Sequence, residues 1–346
     1  MNFTDYTLVI PYYGKNSFRL RNLKYTIAYY KKAMPKSTII IVEQNGDGSI
    51  STLFNDIIYH NVAIEADYFC KSKILNSAIN DKVDSKYIIM VDNDCILPSN
   101  GIELLETGLD NSSVFIPFRS INKLNEANTR QLVKNGDFIK VINNSPLHVS
   151  RYTGGFNLFT KETFDTVGGF DDEFQGWGAE DDAFLTKCQR IVGNVKRTME
   201  DVELVHLYHP SENKPDYLQS DQYMKNKKML ACLKRMTYDD LIDYTKCKPN
   251  SIDALAQKVD IYEAKDMLDI MVSIDIGNGT ITMDTTAYNV TCDENGKLTL
   301  DKILEAIYNQ DNLDFVLGVI AQIESKLTDL PDNVIELLDY YKSLKS

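Results

Sequence analysis

Three short apolar segments that alternate with helical segments constrain the fold of this chain most strongly. The segments at 6–11 (YTLVIP), 37–43 (STIIIVE) and 86–91 (KYIIMV) are rich in β-branched residues and have no charged residue in their interior. Between them, residues 17–33 and 71–80 repeat apolar side chains at mostly helical spacing. Strands that are apolar on both faces and alternate with helices are typical of a parallel sheet covered by helices. We therefore expect an α/β fold with a ligand bound beyond the carboxyl ends of the strands.

The distribution of charge divides the 346-residue chain near Arg235. Residues 1–235 hold 28 Lys and Arg against 29 Asp and Glu, whereas residues 236–346 hold 9 against 21. The sequence therefore predicts a domain boundary there, with a first domain over 1–235 that contains the candidate catalytic motifs described below. It also predicts a smaller, acidic, mainly helical accessory domain over 236–346, to which it assigns no role. Such acidity repels nucleic acids and anionic membranes, so DNA is disfavoured as a partner.

Cysteine usage and hydropathy indicate the compartment. The six cysteines show no CxxC spacing, which favours reduced thiols over a disulfide framework or a zinc cluster. No apolar run approaches the ~20 residues that a transmembrane helix needs. The first residues lack the basic region of a signal peptide. We therefore expect a cytoplasmic protein without a transmembrane segment, of an oligomeric state that the sequence does not indicate.

The third apolar segment runs directly into an acidic triplet, Asp92-Asn93-Asp94. Two carboxylates at this spacing, just beyond a strand end, can point into one crevice, one toward a ribose and one toward a metal ion. Such triplets also occur in the surface turns of Asp-rich chains. The residues alone leave a ligand site and a surface turn as alternatives.

A second motif, GWGAEDD, surrounds Trp177, which is the only tryptophan of the chain. Its two glycines permit close approach of a ligand to the backbone, and the acids Glu180 and Asp181 open a helix. Acids at a helix start are also favoured by the helix dipole, so capping explains part of the pattern. A carboxylate beside an aromatic wall favours a general base held against a polyhydroxyl ligand.

Two of the four histidines, His206 and His209, lie three positions apart at the end of a strand-like segment. A neutral imidazole is a common metal ligand, although single histidines are more often structural. Downstream of an acidic triplet, the pair is a candidate source of one metal ligand.

In collinear order these motifs resemble the glycosyltransferases of the GT-A fold, in particular the group that contains the β-1,4-galactosyltransferases and related bacterial and viral enzymes. The likeness covers about residues 5–215 and rests on VIPYYGK, VEQNGDG, FCKSKILN, VDND, YTGGFNLF and GWGAEDD. It implies a Rossmann-like, mostly parallel sheet flanked by helices. It also implies transfer of a sugar from a nucleotide-activated donor.

The resemblance implies a role for each matching residue. Asp181 matches the general base, and Asp94 matches a Mn²⁺ ligand, with Mg²⁺ as the alternative ion. His206 matches the histidine ligand of the metal, and His209 is the second candidate. The positions that match donor- or acceptor-binding residues are Pro11, Tyr13, Lys15, Glu43, Phe69, Lys71, Lys73, Asp92, Asn93, Gly154, Gly155, Trp177 and Glu180.

The chain departs from the family pattern at two places. Tyr13 and Lys15 stand where the family has two arginines, which affects the expected contacts to uridine and phosphate. The family also has a methionine metal ligand some three residues before the histidine, whereas the nearest upstream methionine here is Met199.

We expect an inverting, metal-dependent glycosyltransferase that transfers a sugar from a nucleotide sugar to a hydroxyl group on a glycan. UDP-sugars are the leading candidates for the donor. Relatives that retain the donor configuration have Asn where this chain has Asp181, which argues against retention. A viral enzyme acting on hydroxymethylated DNA bases is an alternative. Its phosphate contacts would be the basic residues Arg119, Lys123, Arg130, Lys134, Lys140 and Arg151 and those of 225–235. A non-catalytic sugar-binding module is the alternative from another class.

Overall fold

The computed structural model describes residues 3–14, 16–110, 112–136, 147–150, 153–176, 178–210 and 220–247, together with three strands between 272 and 289. The chain divides into two compact units, Met1–Lys258 and Val259–Ser346. The first unit therefore continues past Arg235, and the functional division expected there stays a prediction.

The elements are numbered here in chain order. The strands are β1 (Tyr6–Tyr12), β2 (Thr38–Gln44), β3 (Ile58–Val62), β4 (Tyr87–Val91), β5 (Cys95–Ile96), β6 (Val114–Ile116), β7 (Ser120–Lys123), β8 (Leu147–Ser150), β9 (Phe156–Thr160), β10 (Val195–Arg197), β11 (Glu203–His206), β12 (Val272–Asp275), β13 (Thr280–Met283) and β14 (Thr286–Asn289). The α-helices are α1 (Ser17–Ala33), α2 (Lys71–Lys82), α3 (Ser99–Glu103), α4 (Leu105–Gly108), α5 (Glu126–Asn135), α6 (Lys161–Thr166), α7 (Glu180–Lys187), α8 (Asp221–Arg235) and α9 (Tyr238–Cys247). A 3₁₀ turn (Ser49–Thr52) and a π-helical turn (Cys188–Val192) complete the list.

A seven-stranded sheet in the order β10-β6-β9-β4-β1-β2-β3 forms the centre of the first unit. The apolar segments expected to be buried strands are β1, β2 and β4, and β1 pairs in parallel with both of the others. β9 runs antiparallel between β4 and β6. This largely parallel sheet with flanking helices confirms the α/β fold and the mostly parallel sheet expected from the sequence.

Helix α1 follows β1 and occupies the range that its periodicity predicts. The side chain of Asn16 caps its first turn by accepting a hydrogen bond from the backbone N–H of Arg19 at 3.0 Å. Lys31 and Lys32 lie in its last turn, where the helix dipole favours cations. Its buried face, which includes Leu23, packs into the core of the sheet.

A second, four-stranded sheet in the order β5-β11-β7-β8 lies next to the acidic triplet. It draws β7, β8 and α5 from the polar segment 119–150, which the sequence predicted as an excursion over the site. β11 pairs antiparallel with β5 and in parallel with β7. The pairing with β5 positions the end of β11 beside the end of β4.

Helices α8 and α9 complete the first unit through a separate apolar cluster. Leu233 of α8 and Leu241 and Tyr244 of α9 are buried there together with Phe174 and Ala183. A helix that follows Arg235 is therefore part of the core around the GWGAEDD segment.

The described part of the second unit is a three-stranded antiparallel sheet in the order β12-β13-β14. It coincides with a stretch of the sequence that is rich in β-branched residues, IDIGNGTITMDTTAYNV over 274–290. Of the mainly helical domain expected over 236–346, α9 is described, whereas residues 248–271 and 290–346 lie outside the described residues. Among the helices that are described, none has the length and apolar character needed to cross a bilayer.

Candidate active site

The predicted donor-side residues collect at the carboxyl edge of the central sheet. Pro11 is buried near the end of β1, and Tyr12 lies opposite Glu43 of β2 in the parallel register. The acidic triplet follows β4, the other neighbour of β1. The strand order therefore brings together motifs that are far apart in the chain.

The acidic triplet forms a tight turn that is held by a backbone hydrogen bond to Gly155. The backbone N–H of Asp92 donates to the carbonyl of Gly155 at 3.0 Å, and the N–H of Cys95 donates to the carbonyl of Asp92 at 3.0 Å. Gly155 has φ +88°, and a Cβ atom there would lie 2.9 Å from Leu204 Cδ2. Glycine is thus required for the packing beneath the turn. Gly154, its predicted partner, is buried beside it.

Helix α1 holds the triplet from the other side. The hydroxyl of Thr26 donates to the carbonyl of Asn93 at 3.0 Å, and the amide of Asn93 donates to the carbonyl of Arg19 at 3.4 Å. Asn93 is buried. Its side chain therefore anchors the turn to α1, whereas the resemblance implied donor contact.

Asp94 and both candidate histidines form one cluster. In the β11–β5 pairing His206 lies opposite Cys95, and the N–H of Leu207 donates to the carbonyl of Asp94 at 2.8 Å. Nε2 of His206 lies 3.7 Å from Asp94 Oδ1, and Nε2 of His209 lies 3.3 Å from Asp94 Oδ2. One ligand atom from each of these three residues lies within 4.8 Å of the others. His209, the second candidate, is the nearer of the two imidazoles.

The electrostatics of this cluster suit a cation. Burial alone would raise the pKa of the Asp94 carboxyl, but the basic side chains around it together hold that pKa below its usual value, namely those of His206, His209, Arg19 and Lys71. Burial lowers the pKa of His206, so its ring is neutral at neutral pH. A buried ionised carboxylate beside two imidazole rings is a suitable ligand set for a divalent metal ion.

Lys71, at the start of α2, joins the acidic triplet to the GWGAEDD motif. Its Nζ lies 2.9 Å from Asp92 Oδ1, 3.0 Å from Asp181 Oδ2 and 3.6 Å from Glu180 Oε1. The side chain of Lys71 is only 7% exposed. The resemblance implied that Lys71 holds the nucleotide, whereas this geometry makes it the shared counter-ion of three carboxylates.

Three carboxylates around one ammonium carry excess negative charge. Burial and this charge raise the pKa values of Asp181, Glu180 and Lys71. Burial raises the pKa of the Asp181 carboxyl to about 8, a rise that Lys71 opposes and that Glu180 and Asp92 reinforce. Burial also raises the pKa of Glu180. Burial alone would lower the pKa of Lys71, but the carboxylates hold it well above its usual value. The ammonium therefore stays charged, while Asp181 exchanges its proton near neutral pH.

The GWG loop is attached to the rest of the unit on both sides of Trp177, which itself lies outside the described residues. The N–H of Gly176 donates to the carbonyl of Phe69 at 2.9 Å. The amide of Asn226, on α8, donates to the carbonyl of Gly178 at 3.0 Å. These bonds hold the loop between the segment that precedes α2 and helix α8.

An aromatic pair lies beside the carboxylates at the sheet edge. The rings of Tyr13 and Phe69 stack with centroids 5.4 Å apart and planes 7° apart. The side chain of Gln44 holds the Phe69 segment by donating to the carbonyl of Tyr68 at 2.9 Å and accepting from the N–H of Cys70 at 2.7 Å. The two predicted nucleotide-binding aromatics are thus together.

The remaining predicted residues take varied positions. Glu43 is buried and accepts a hydrogen bond from the hydroxyl of Tyr59 at 2.7 Å. Lys73 is half-buried on α2. Lys15 lies outside the described residues.

Sequence reasoning missed several residues that position the site. Asn76 of α2 donates to the carbonyl of Phe170 at 2.8 Å and accepts from the N–H of Phe170 at 2.9 Å. Lys187 is fully buried and donates to Asp171 Oδ1 at 2.8 Å. Asn226 occupies the apolar face of α8, which is a detectable signal of a buried polar anchor.

Residues 140–210 match the sequence profile of a family described as the N-terminal domain of galactosyltransferase. That stretch contains β9, the GWGAEDD motif and the two candidate histidines. This segment is similar to galactosyltransferases. The resemblance drawn from the sequence is confirmed over these residues. The matched segment contains Asp181, His206 and His209, whereas Lys71 and the acidic triplet come from the chain before it.

No curated protein matches the chain significantly by sequence. Among solved structures, a fragment of S. aureus TarS superposes with a TM-score of 0.43 and 11% identity over 78% of this chain and 77% of the other. The mannosyltransferase PcManGT from Pyrobaculum calidifontis, in complex with GDP-Man and Mn²⁺, superposes with a TM-score of 0.45 and 16% identity. The match covers 75% of this chain and 76% of the other. A mutant Drosophila β1,4-galactosyltransferase 7, in complex with manganese, UDP-Gal and xylobiose, superposes with a TM-score of 0.39 and 16% identity. The match covers 62% of this chain and 79% of the other. Scores and identities this low do not bear on the ligands or the reaction of this chain.

Proposed function

We propose that the protein is an inverting, metal-dependent glycosyltransferase. It transfers a sugar from a nucleotide sugar, for which UDP-sugars are the leading candidates, to a hydroxyl group of a glycan acceptor. The observation that carries the proposal is the buried ammonium of Lys71, which contacts Asp92 at the end of β4 and Asp181 at the start of α7. The donor-side and acceptor-side motifs are thereby held next to each other, as a transfer reaction between two substrates requires.

Asp94 and His206 would hold the metal ion. Carboxylate oxygen and imidazole nitrogen suit Mn²⁺, and the ligand atoms of the cluster lie within 4.8 Å of one another. When bound, such an ion supplies positive charge that offsets the charge developing on the departing diphosphate. Asp92 is oriented toward Lys71 and borders the donor side.

Asp181 would act as the general base. It is 9% exposed, lies in the first turn of α7 and is connected to Asp92 of the acidic triplet through the ammonium of Lys71. In its ionised form it accepts the proton of the acceptor hydroxyl as that oxygen attacks C1 from the face opposite the diphosphate, which inverts the configuration. Lys71 orients the carboxylate and compensates its charge between turnovers.

The Tyr13–Phe69 pair would support the nucleobase. The two rings lie 5.4 Å apart and nearly parallel, and both residues are half-buried. Stacking of a base on an aromatic ring is worth about 1–3 kcal/mol. This pair would compensate for the family arginines that Tyr13 and Lys15 replace.

The test is a panel of nucleotide sugars, assayed for Mn²⁺-dependent hydrolysis and for a rise in the melting temperature of the full chain. We expect one donor to respond on both measurements. The Asp94→Ala variant should lose donor hydrolysis and metal-dependent donor binding while it keeps its fold, because the change removes a ligand. Unchanged donor affinity of Asp94→Ala in calorimetry with Mn²⁺ present would refute the metal assignment. A retained anomeric configuration in the product would refute inversion.

The competing functions lack comparable support in the described residues. Of the basic residues considered for DNA, Arg130 pairs with Glu126 on the surface of α5 at 2.5 Å, and Lys140 and Arg151 lie outside the described residues. A non-catalytic module has no use for a buried carboxylate whose pKa is raised to about 8.

A further inference from the structure

We infer that the acceptor is an anionic glycan, and that Lys227 and Lys228 of α8 bind its charged groups beside the GWG loop. The inference deepens the proposed function, on which it rests, because it names the class of acceptor. Both lysines lie beyond the segment that is similar to galactosyltransferases, which ends at residue 210.

Helix α8 is held against the GWG loop by the buried side chain of Asn226. Its amide donates to the carbonyl of Gly178 at 3.0 Å. One turn further along α8, Leu230 is buried together with Ala183 of α7. Helix α7 carries the proposed base, Asp181, in its first turn. The first turns of α8 therefore lie beside the loop and the helix that carry the acceptor-side residues.

The ring of Tyr223 positions Lys227 at the edge of this loop. Gly178 has φ +104°, and a Cβ atom there would lie 3.0 Å from Cε2 of Tyr223, so the ring packs directly on the loop backbone. Nζ of Lys227 lies 5.6 Å from the centroid of the same ring, which is within the range of a cation–π contact. The neighbouring Lys228 is exposed. An ammonium held in place in this way loses less conformational entropy when it binds an anion.

The charge of α8 is opposite to that of the chain as a whole. Five of its 15 residues are basic and one is acidic, whereas the chain has a net charge of −13. In the part of the chain that the structure describes, neither Lys227 nor Lys228 pairs with a carboxylate. Basic side chains without an internal counter-ion, next to an acceptor site, favour an acceptor of negative charge.

The same charges favour a glycan over a nucleic acid. A nucleic acid carries a phosphate at every nucleotide, and a protein binds it mainly by neutralising many of these phosphates. A chain with a net charge of −13 opposes such a dense polyanion. A glycan whose charged groups are spaced by neutral sugars needs only the few ammonium groups of α8.

The experiment is calorimetric titration of the full chain with two pairs of oligosaccharides. One pair is hyaluronan hexasaccharide, which carries carboxylates, and the neutral chitin hexasaccharide. The other pair is phosphorylated and unphosphorylated mannopentaose, so the two pairs distinguish carboxylate from phosphate as the charged group. We expect at least one charged glycan to bind more tightly than its neutral counterpart, with an affinity that falls as salt is added.

Lys227→Gln should weaken the binding of that charged glycan by about tenfold, the effect of losing one charge-assisted hydrogen bond. Lys228→Gln, at an exposed position, should weaken it as well and serves as the test if Lys227→Gln fails to fold. The matched control is Lys225→Gln. Lys225 is an exposed lysine of the same helix, but residues two positions apart do not share a helix face. This variant should bind like the parent.

Four results would overturn the inference. They are equal binding of the charged and neutral glycans, binding of neither charged glycan, parental affinity in both Lys227→Gln and Lys228→Gln, and an equal loss in Lys225→Gln. Tighter binding of the oligonucleotide hexathymidylate than of either charged glycan would overturn it in favour of a nucleic acid.

The donor assay separates this inference from the proposed function. If a nucleotide sugar is hydrolysed but the charged glycans give one of these results, the proposed function stands and the inference fails. If a charged glycan binds through Lys227 but no donor is hydrolysed, the proposed function fails and the glycan-binding surface remains.

Discussion

Nζ of Lys71 lies 3.0 Å from Oδ2 of Asp181, although the two residues are 110 positions apart in the chain. Each stands at the start of a helix, Lys71 at α2 and Asp181 at α7. A cation at a helix start is disfavoured by the helix dipole. The placement is therefore explained by the carboxylates that Lys71 contacts and not by the local stability of α2.

Asp181→Asn should reduce sugar transfer by about 10²–10⁴-fold, the range typical of removing a general base. Donor affinity should be retained, because the acidic triplet is unchanged. Asn is nearly isosteric with Asp, so packing at the start of α7 should survive. The measurement is initial-rate transfer together with donor titration by calorimetry.

The control for this substitution is Asp165→Asn on α6, where an exposed carboxylate pairs with Lys161. It should transfer sugar at the parental rate. If Asp181→Asn did the same and lost at most about 1 kcal/mol of stability, capping of α7 would be the role of Asp181.

The rate of transfer should rise with pH through about 8, because burial raises the pKa of Asp181 to about 8 and only its ionised form accepts a proton. The profile of kcat/KM reports this ionisation in the free enzyme. Activity is thus present above that pKa and is lost as the pH falls through it. Lys71→Met removes the charge that opposes the rise, so its profile should move to higher pH.

Lys71→Arg keeps the charge and should retain a profile close to the parental one. Lys82→Met, at the exposed end of α2, should leave the profile unchanged. A parental profile that is flat between pH 6 and 9 would contradict the assignment of Asp181 as the group that titrates.

Lys187→Met should lower the free energy of unfolding by about 3–5 kcal/mol, because it leaves the buried Asp171 carboxylate without its counter-ion. The ammonium of Lys187 is fully buried and also donates to the carbonyl of Gly169 at 2.7 Å. Urea denaturation followed by circular dichroism measures the loss. Lys161→Met, at the surface, should change stability by less than about 1 kcal/mol, and a similar loss in both variants would contradict the role of the buried pair.

Truncation after Arg235 should destabilise the first unit more than truncation after Cys247. Only the longer fragment keeps Leu241 and Tyr244 of α9, which are buried with Phe174. Burying each such side chain stabilises a fold by about 1.5–3 kcal/mol. Thermal unfolding of the two fragments compares them, and equal melting temperatures would show that α9 contributes nothing.

The local pattern of the sequence was enough to predict the central strands and the bounds of α1. Apolar runs identify β1, β2 and β4, and helical spacing identifies α1. The antiparallel insertion of β9 was not predicted, since strand direction depends on where the chain returns to the sheet. The edge strand β3 was missed because its burial is only partial, which leaves no continuous apolar run.

The sequence was enough to identify several residues of the candidate site, but it predicted less well which residues those side chains contact. The sequence indicated Asp94, His206 and Asp181. It did not predict the contacts of Lys71 with three carboxylates, because these come from segments whose proximity only the folded chain determines. The contact of Asn93 with Arg19 was not predicted either, since it depends on how α1 packs. The assignment of both residues to the donor stays a prediction.

Helix α1 donates hydrogen bonds both to the acidic triplet and to the segment that carries the two candidate histidines. This arrangement has a consequence for synthesis on the ribosome. Thr26 holds the carbonyl of Asn93, whereas Arg21 holds that of Tyr208, 187 positions further along the chain. Closing a loop of that length is slow compared with pairing neighbouring strands. A nascent chain that has emerged only as far as β4 would carry the acidic triplet without its histidines. The candidate ligand set is therefore complete only after β11 has left the exit tunnel, late in translation of the first unit.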